Sequence, residues 1–342
     1  MFEIAVVFAI SFLTTYILTP KVIRIMHAQG FISKDMNKYN HPLVAELGGV
    51  PIFLGLVFGI ISAIFMSTYL GAQINLLNVI AGMLTICLIG FIGTIDDIIG
   101  WKKGIRQWQH ALFPVIAALP LMAVRVNNPP ITLPLIGMLP HEFLLPFGAI
   151  SFGLVYSLIF VPVGVTGASN ATNMLAGLNG LEAGLSALIL ATLAIIAALT
   201  GKPEALIFAV AMVACLLAFL KYNWFPAKIF GGDGLTLMAG ASIAVVSILG
   251  DMEKIGIALM VLFFIELYLK SRTKFQGESF GVSQRNGLLL APKKKKSLTH
   301  YFMALRPRTE KQVVIKILTV QAIICFAVLA FALLNYFQMI LI

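Results

Sequence analysis

The sequence predicts an all-α, polytopic integral membrane protein with about ten transmembrane helices, and three observations predict it. Of its 342 residues, 60% are hydrophobic and only 11% charged, whereas soluble domains carry about 25% charged residues. The apolar residues fall into runs near the roughly 20-residue length that crosses hydrocarbon. The basic residues collect in alternate connections between those runs. This composition excludes a soluble enzyme, a disordered tail protein and a disulfide scaffold. The whole chain, 1–342, is expected to be one membrane-embedded domain, with a basic loop over 271–312.

In chain order, apolar runs lie near 2–25, 48–70, 76–95, 110–124, 143–165, 182–200, 205–221, 233–250, 253–270 and 313–341. Hydrocarbon admits only helices or closed barrels, and runs this long and apolar all round read as helices. The first run, from Phe2, has no basic segment before it and no small-residue cleavage site, so it reads as a retained helix. Between the first and second runs stand Lys34-Asp-Met-Asn-Lys38 and Glu46-Leu-Gly-Gly-Val-Pro. The third run closes on Gly93-Thr-Ile-Asp96-Asp97, and the fifth leads into the Asn/Gly-rich stretch Asn170–Gly184. The eighth opens on Phe230-Gly-Gly-Asp233-Gly, and the ninth holds Glu266 near its end. Cys87, Cys215 and Cys325 each sit in an apolar run and read as buried free thiols.

The formal charge of +10 invites a nucleic-acid reading, but its distribution does not. Of the 24 Lys and Arg residues, 21 fall in alternate connections, leaving only Arg125, Lys202 and Lys254 on the other side. The positive-inside rule places the 21 in the cytoplasm and both termini outside. The excess is therefore a topology signal, with a contribution to holding anionic headgroups or an anionic substrate. Lys293 to Lys296 reads as a solvated, lipid-facing patch.

Chemistry is expected where acids stand at that face. Adjacent carboxylates repel, and Asp96 and Asp97 close a helix, where negative charge opposes the helix dipole. A solvated helix end is thus a poor account of them. A cation or the downstream Lys102, Lys103 and Arg106 would relieve the repulsion. Asp233 can be read as a plain N-cap, or as part of a glycine-rich turn that lets backbone approach a phosphate. Asn170 and Asn173 are three apart and share a helix face; asparagine carbonyls ligate Mg2+ and its amides read a base edge. Gly177 and Gly180 would interrupt a helix there. A loop with capping asparagines is the plainer alternative.

Taken in order, these segments resemble the polyprenyl-phosphate N-acetylhexosamine-1-phosphate transferase superfamily, over roughly residues 1–270 and in the ten-span plan. Asn170-Ala-Thr-Asn-Met-Leu-Ala-Gly-Leu-Asn-Gly-Leu-Glu-Ala-Gly184 and Lys221-Tyr-Asn-Trp-Phe-Pro-Ala-Lys-Ile-Phe-Gly-Gly-Asp233 look like the eukaryotic and archaeal branch. That branch moves N-acetylglucosamine-1-phosphate from UDP-N-acetylglucosamine to dolichyl phosphate. The bacterial peptidoglycan branch typically has Asp-Gly-x-Asp-Gly where this chain has Ala176-Gly-Leu-Asn-Gly180. The resemblance implies that a polyprenyl phosphate attacks the β-phosphate of the UDP-sugar, with Mg2+, or Mn2+ in its place, as cofactor. It implies Asn173 and Asp233 as metal ligands, and Asp96 and Asp97 as catalytic residues at the lipid phosphate, with Asp97 at the metal as the alternative. Gly177 and Asn179 would recognise uracil, with Phe230 stacked on the base, Glu46 at the nucleotide or sugar end and Asn170 nearby.

Three departures from the family pattern stand out. His110 occupies the place of a lysine a few residues before Pro114, with Lys103 and Arg106 as its alternatives. The stretch from Asp96 to Pro114 looks longer than in the eukaryotic relatives. A clustered Arg-His-Arg is missing from the last long loop, leaving Arg272 and Lys274 as candidates for the sugar phosphate. Expected partners are UDP-N-acetylglucosamine, polyprenyl or dolichyl phosphate and membrane lipid, with a homodimer left open and no nucleic acid. The expected location is an archaeal plasma membrane rather than the endoplasmic reticulum, with the site facing the cytoplasm. A transporter or channel would place its ionisable groups near the bilayer midplane. A noncatalytic relative, or the same enzyme with another UDP-amino sugar, are the other readings.

Overall fold

The computed structural model describes residues 2–99, 107–124, 142–145, 148–151 and 155–340. Lys102, Lys103 and Arg106 lie outside the described residues, as does Arg125. The protein is a helical bundle of α1 (Phe2–Gln29), α2 (Gly49–Leu70), α3 (Leu76–Ile99), α4 (Gln107–Ala117), α5 (Leu119–Ala123), α6 (Val161–Met174), α7 (Leu181–Leu199), α8 (Pro203–Asn223), α9 (Gly232–Leu249), α10 (Glu253–Leu259), α11 (Val261–Ser271), α12 (Leu298–Leu305) and α13 (Glu310–Ile340). Seven of these are long and apolar enough among the described residues to cross a membrane: α1, α2, α3, α7, α8, α9 and α13.

The other three apolar runs fold as shorter pieces. The run 110–124 divides into α4 and α5, which hold Pro114 and Pro120; proline lacks the N–H that continues a helix. The run expected over 143–165 opens instead as an antiparallel pair, β3 (Glu142–Leu145) with β4 (Gly148–Ser151). Its helical part starts as a π-turn at Tyr156–Phe160 and continues as α6 through Met174, past the expected end. The ninth run is α10 and α11, parted at Met260.

Helix α9 is the axis of the bundle. Every residue from Gly234 to Leu249 is buried, while the outer faces of α1 and α13 expose Leu13, Ile17, Ile323 and Phe326, as lipid-facing helices do. Small residues make this centre possible by letting backbones approach closely. A Cβ on Gly240 would lie 2.3 Å from the Ala168 carbonyl oxygen of α6, and one on Gly49 of α2 would lie 2.7 Å from the Gly234 carbonyl carbon. The Thr172 hydroxyl of α6 donates to the Thr236 carbonyl of α9 at 2.7 Å, which also satisfies a buried polar group.

Polar contacts gather at the two ends of the bundle. At one end, Lys202 pairs with Asp251, the Tyr156 hydroxyl bonds Glu253, and the Asn75 N–H donates to Glu204 at 2.6 Å. At the other end lie β1 (Ile32–Lys34) paired with β2 (Leu43–Ala45), the breaks α6–α7 and α8–α9, and a small module after α11. That module is an antiparallel sheet in the order β5 (Val282–Ser283), β6 (Leu288–Leu290), β7 (Arg308–Thr309), with α12 beside it. The basic loop expected over 271–312 is therefore a folded unit.

Candidate active site

The site starts from an electrostatic problem at the end of α3. Asp96 and Asp97 stand in its last turn, where two negative charges are unfavourable. The neighbouring helix resolves half of it. Asp97 lies across the N-terminus of α9, with Oδ1 accepting from the Asp233 N–H at 2.7 Å and Oδ2 from the Gly234 N–H at 3.0 Å. Two orphan donors at the positive end of a buried helix thus receive a carboxylate. The Gly231–Gly234 run is what admits it. Gly232 has φ +68, and a Cβ there would lie 2.3 Å from Asp97 Oδ2.

This arrangement changes the plain reading of Asp233 as an N-cap. Gly231 holds the cap position without a side-chain bond, and Asp233 sits inside the first turn of α9. Its own backbone is capped by Asp97, so its carboxylate is not needed for capping. Gly93, one turn before Asp97, seats the junction: its Cβ would lie 2.5 Å from the Asp233 carbonyl oxygen.

Asp96 is 8% exposed and its Oδ2 lies 3.2 Å from His110 Nε2 on α4. His110, expected from the sequence near this site, thus meets Asp96. The carboxamide of Asn170 donates to the His110 carbonyl at 3.0 Å and to the Thr166 carbonyl at 2.9 Å, so Asn170 fastens α4 to α6. Asp96, His110 and Asp233 each offer one ligand atom, all within 4.8 Å of one another. Two carboxylate oxygens and one imidazole nitrogen in that volume form a donor set that fits a divalent cation. Asn173, half-buried, follows Thr172 on α6, the helix bonded to α9.

The other expected binding residues line a second part of the same end. Phe230 is half-buried, and its backbone is strapped on both sides: its N–H donates to the Ala45 carbonyl at 2.8 Å and its carbonyl accepts from the Gly48 N–H at 2.9 Å. Glu46, between them, accepts from the Ser33 hydroxyl. Gly177 and Gly180 do interrupt the helix, with φ +107 and +79 between α6 and α7. Asn179 is 3% exposed. Its Oδ1 accepts from Lys38 Nζ and from the Ala227 N–H, both at 3.0 Å, and its Nδ2 donates to Asp35 at 3.2 Å. Its side chain is thus engaged within the protein and shapes the turn.

Arg272 and Lys274 are exposed, and the Arg272 guanidinium lies 5.9 Å from the Tyr268 ring centroid. Among the described contacts neither meets Asp96 or Asp233. Lys270, by contrast, folds inward, bonded to the Gly277 carbonyl, to Ser279 Oγ at 3.1 Å, and 3.6 Å from Glu266. Glu266 in turn accepts from the Leu298 N–H at 2.6 Å, so this pair fixes the module to α11. In the module, His300 takes the Lys296 N–H on Nδ1 at 3.0 Å and faces the Phe280 carbonyl with Nε2 at 2.9 Å. Those two partners require a neutral ring, and burial holds its pKa below the ordinary value of 6.5. Sequence reasoning also left Asp35, Asn37, Lys38 and Glu310 without roles, although the polar run Lys34–Lys38 was the visible signal.

The model of glycosyl transferase family 4 matches residues 79–251, which span α3 to the end of α9. Over 323 residues the chain is 36% identical to a Saccharolobus solfataricus protein, covering 94% of each; it is provisionally named as a UDP-N-acetylglucosamine–dolichyl-phosphate N-acetylglucosaminephosphotransferase. A Sulfolobus acidocaldarius protein with the same provisional name is 34% identical over 324 residues, 94% of this chain and 93% of that one. The phospho-N-acetylmuramoyl-pentapeptide-transferase of Limosilactobacillus reuteri is 35% identical over 250 residues, 70% of this chain and 72% of that one.

Proposed function

Since the chain belongs to glycosyl transferase family 4, we propose that it transfers N-acetylglucosamine-1-phosphate from UDP-N-acetylglucosamine to a polyprenyl phosphate of the dolichyl type. An oxygen of the lipid phosphate attacks the β-phosphorus, the bond to the α-phosphate oxygen breaks, and UMP leaves with that oxygen. The product is polyprenyl-diphosphate-N-acetylglucosamine. The observation that carries the reading is the meeting of Asp96, His110 and Asp233 at the N-terminus of α9. That is a site built for anions handled through a cation.

Asp233 and Asn173 would hold Mg2+, or Mn2+, with Asp96 and His110 in reach. When bound, the cation neutralises the diphosphate and the incoming phosphate so that two anions can align in line. The protein's own part is positioning. Asp97 fixes the first turn of α9, and with it the direction of Asp233. Asp96 faces the lipid phosphate, and His110 balances its charge. A phosphate monoester is largely dianionic near neutral pH, with a second pKa of about 6, so no strong base is needed and prearranged charge carries most of the rate. Phe230, Glu46 and the 177–179 turn bind the uridine end, and the module after α11 borders the sugar.

The end that holds Asp96, His110 and Asp233 also carries most of the Lys and Arg, so it faces the cytoplasm and both termini lie outside. Such a protein belongs in an archaeal plasma membrane. The test offers purified protein, polyprenyl phosphate and Mg2+ a panel of UDP-sugars and follows UMP. Release with UDP-N-acetylglucosamine supports the reading. Release with a different donor alone moves the specificity, and no release from any donor overturns it.

A further inference from the structure

The run Lys34–Lys38, polar and placed between the first two spans, has no part in the chemistry above. Yet its side chains bond residues 140 to 272 positions away in the chain. Asn37 is 4% exposed. Its Nδ2 donates to the Gly177 carbonyl at 2.7 Å, and its Oδ1 accepts from the Gly281 N–H at 3.1 Å. One carboxamide thus links the α6–α7 turn to the module after α11. The two surfaces also touch directly: a Cβ on Gly177 would lie 2.9 Å from Cε1 of Phe280.

Lys38 works beside it. Its Nζ bonds Asp35 at 2.9 Å, Asn179 Oδ1 at 3.0 Å and the carboxylate of Glu310, which together match the three donors of an ammonium. The same nitrogen lies 4.4 Å from the Phe225 ring centroid, on the connection from α8 to α9. Glu310, 2% exposed at the start of α13, takes the Asn179 N–H at 2.7 Å with its second oxygen. Four stretches distant in sequence are therefore fastened around residues 177–179.

We propose that Asn37 and Lys38 are positioning residues for the nucleotide-sugar donor. They hold the 177–179 turn against the 277–281 segment and the start of α13, so that the walls around the uridine and the sugar keep one spacing. The inference rests on the function proposed above. None of these side chains needs to touch the donor. Buried polar networks of this kind specify a geometry when every member is satisfied, and losing contacts made equally to the bound donor and to the transition state raises KM and leaves kcat unchanged.

The test uses the full-length protein in lipid-supplemented detergent. Asn37→Asp is isosteric, keeps the acceptor for Gly281 and loses the donor for Gly177; Asn37→Ala loses both. Expected for each is a rise of about tenfold or more in KM for UDP-N-acetylglucosamine, with kcat and the KM for polyprenyl phosphate within about twofold of wild type. The thermal stabilisation given by UMP should shrink in parallel. Lys38→Met should lower the thermal midpoint and raise the donor KM, and Lys38→Arg should recover both. Adding Glu310→Gln to Lys38→Met removes one stranded charge, so the midpoint should rise while the donor KM stays raised. An unmoved donor KM in Asn37→Asp overturns the inference. So does a Lys38→Met/Glu310→Gln protein that regains donor KM along with stability. Wild-type protein inert toward UDP-N-acetylglucosamine would instead sink the proposed activity, and UMP stabilisation then reads Asn37 without turnover.

Discussion

Gly93→Ala adds one methyl group where α3 meets α9, and it changes no ionisable residue. The new carbon would lie 2.5 Å from the Asp233 carbonyl oxygen, 2.6 Å from its carbonyl carbon and 2.8 Å from the Gly234 nitrogen. All three are backbone atoms, so no side chain can swing aside. Ordinary contact begins near 3.4 Å, so the helices must part by roughly 1 Å. Overpacking of this size costs about 1–3 kcal/mol. The separation also stretches the two bonds by which Asp97 seats Asp233, now 2.7 and 3.0 Å. A misplacement of about 1 Å in a reacting constellation costs on the order of 100-fold in rate. The expected result is a folded protein with turnover down about 100-fold and a weaker metal requirement curve, although Asp96, Asp97, His110 and Asp233 are all present. The assay is UMP release against metal concentration, with size-exclusion and thermal profiles as folding controls. Turnover within about threefold of wild type at saturating metal would refute the claim that the α3–α9 junction sets the site.

Asp233→Ala should abolish metal-dependent turnover and leave the protein monodisperse, because the carboxylate is not a helix cap; full activity would remove Asp233 from the metal site. Phe230→Ala should weaken UMP binding by about tenfold, the scale of one lost stacking contact, and calorimetric titration with UMP checks it. The module should respond to acid through His300. Its folded-state pKa is depressed from 6.5 by burial, so the unfolded chain takes up the proton first. That contribution to stability is complete above about pH 6.5 and is lost as pH falls below it. The thermal midpoint should therefore drop as pH falls below about 6.5, and His300→Gln, which can keep one acceptor and one donor, should flatten that drop.

Most of the bundle could be read from the residues because hydrocarbon imposes length and apolarity on anything that crosses it. The acids could be read for the opposite reason: Asp96, Asp97 and Asp233 are costly where they stand, and Gly177 and Gly180 break a helix that composition would otherwise continue. What escaped is what depends on partners distant in sequence. Asp97 becomes the cap of α9 only once α3 packs beside it. Whether Arg272, Lys274 or Lys270 turns inward is decided by the buried Glu266 and the Gly277 carbonyl, and no spacing rule reports that. Asn179 looks free for base recognition until Lys38, Asp35 and Ala227 take its carboxamide. Helix pieces such as α4 with α5 and α10 with α11 were blurred because a hydropathy run does not register the break within it.

One cation-dependent centre at the N-terminus of α9 should pass a phosphosugar to a lipid phosphate. Its most direct test incubates the purified protein with UDP-N-acetylglucosamine and polyprenyl phosphate and follows lipid product and UMP together by mass, before and after chelation and with Mg2+ or Mn2+ restored. Equal amounts of the two products are expected, lost on chelation and regained on adding the metal. Product formation that continues at full rate with all divalent cations removed would contradict it.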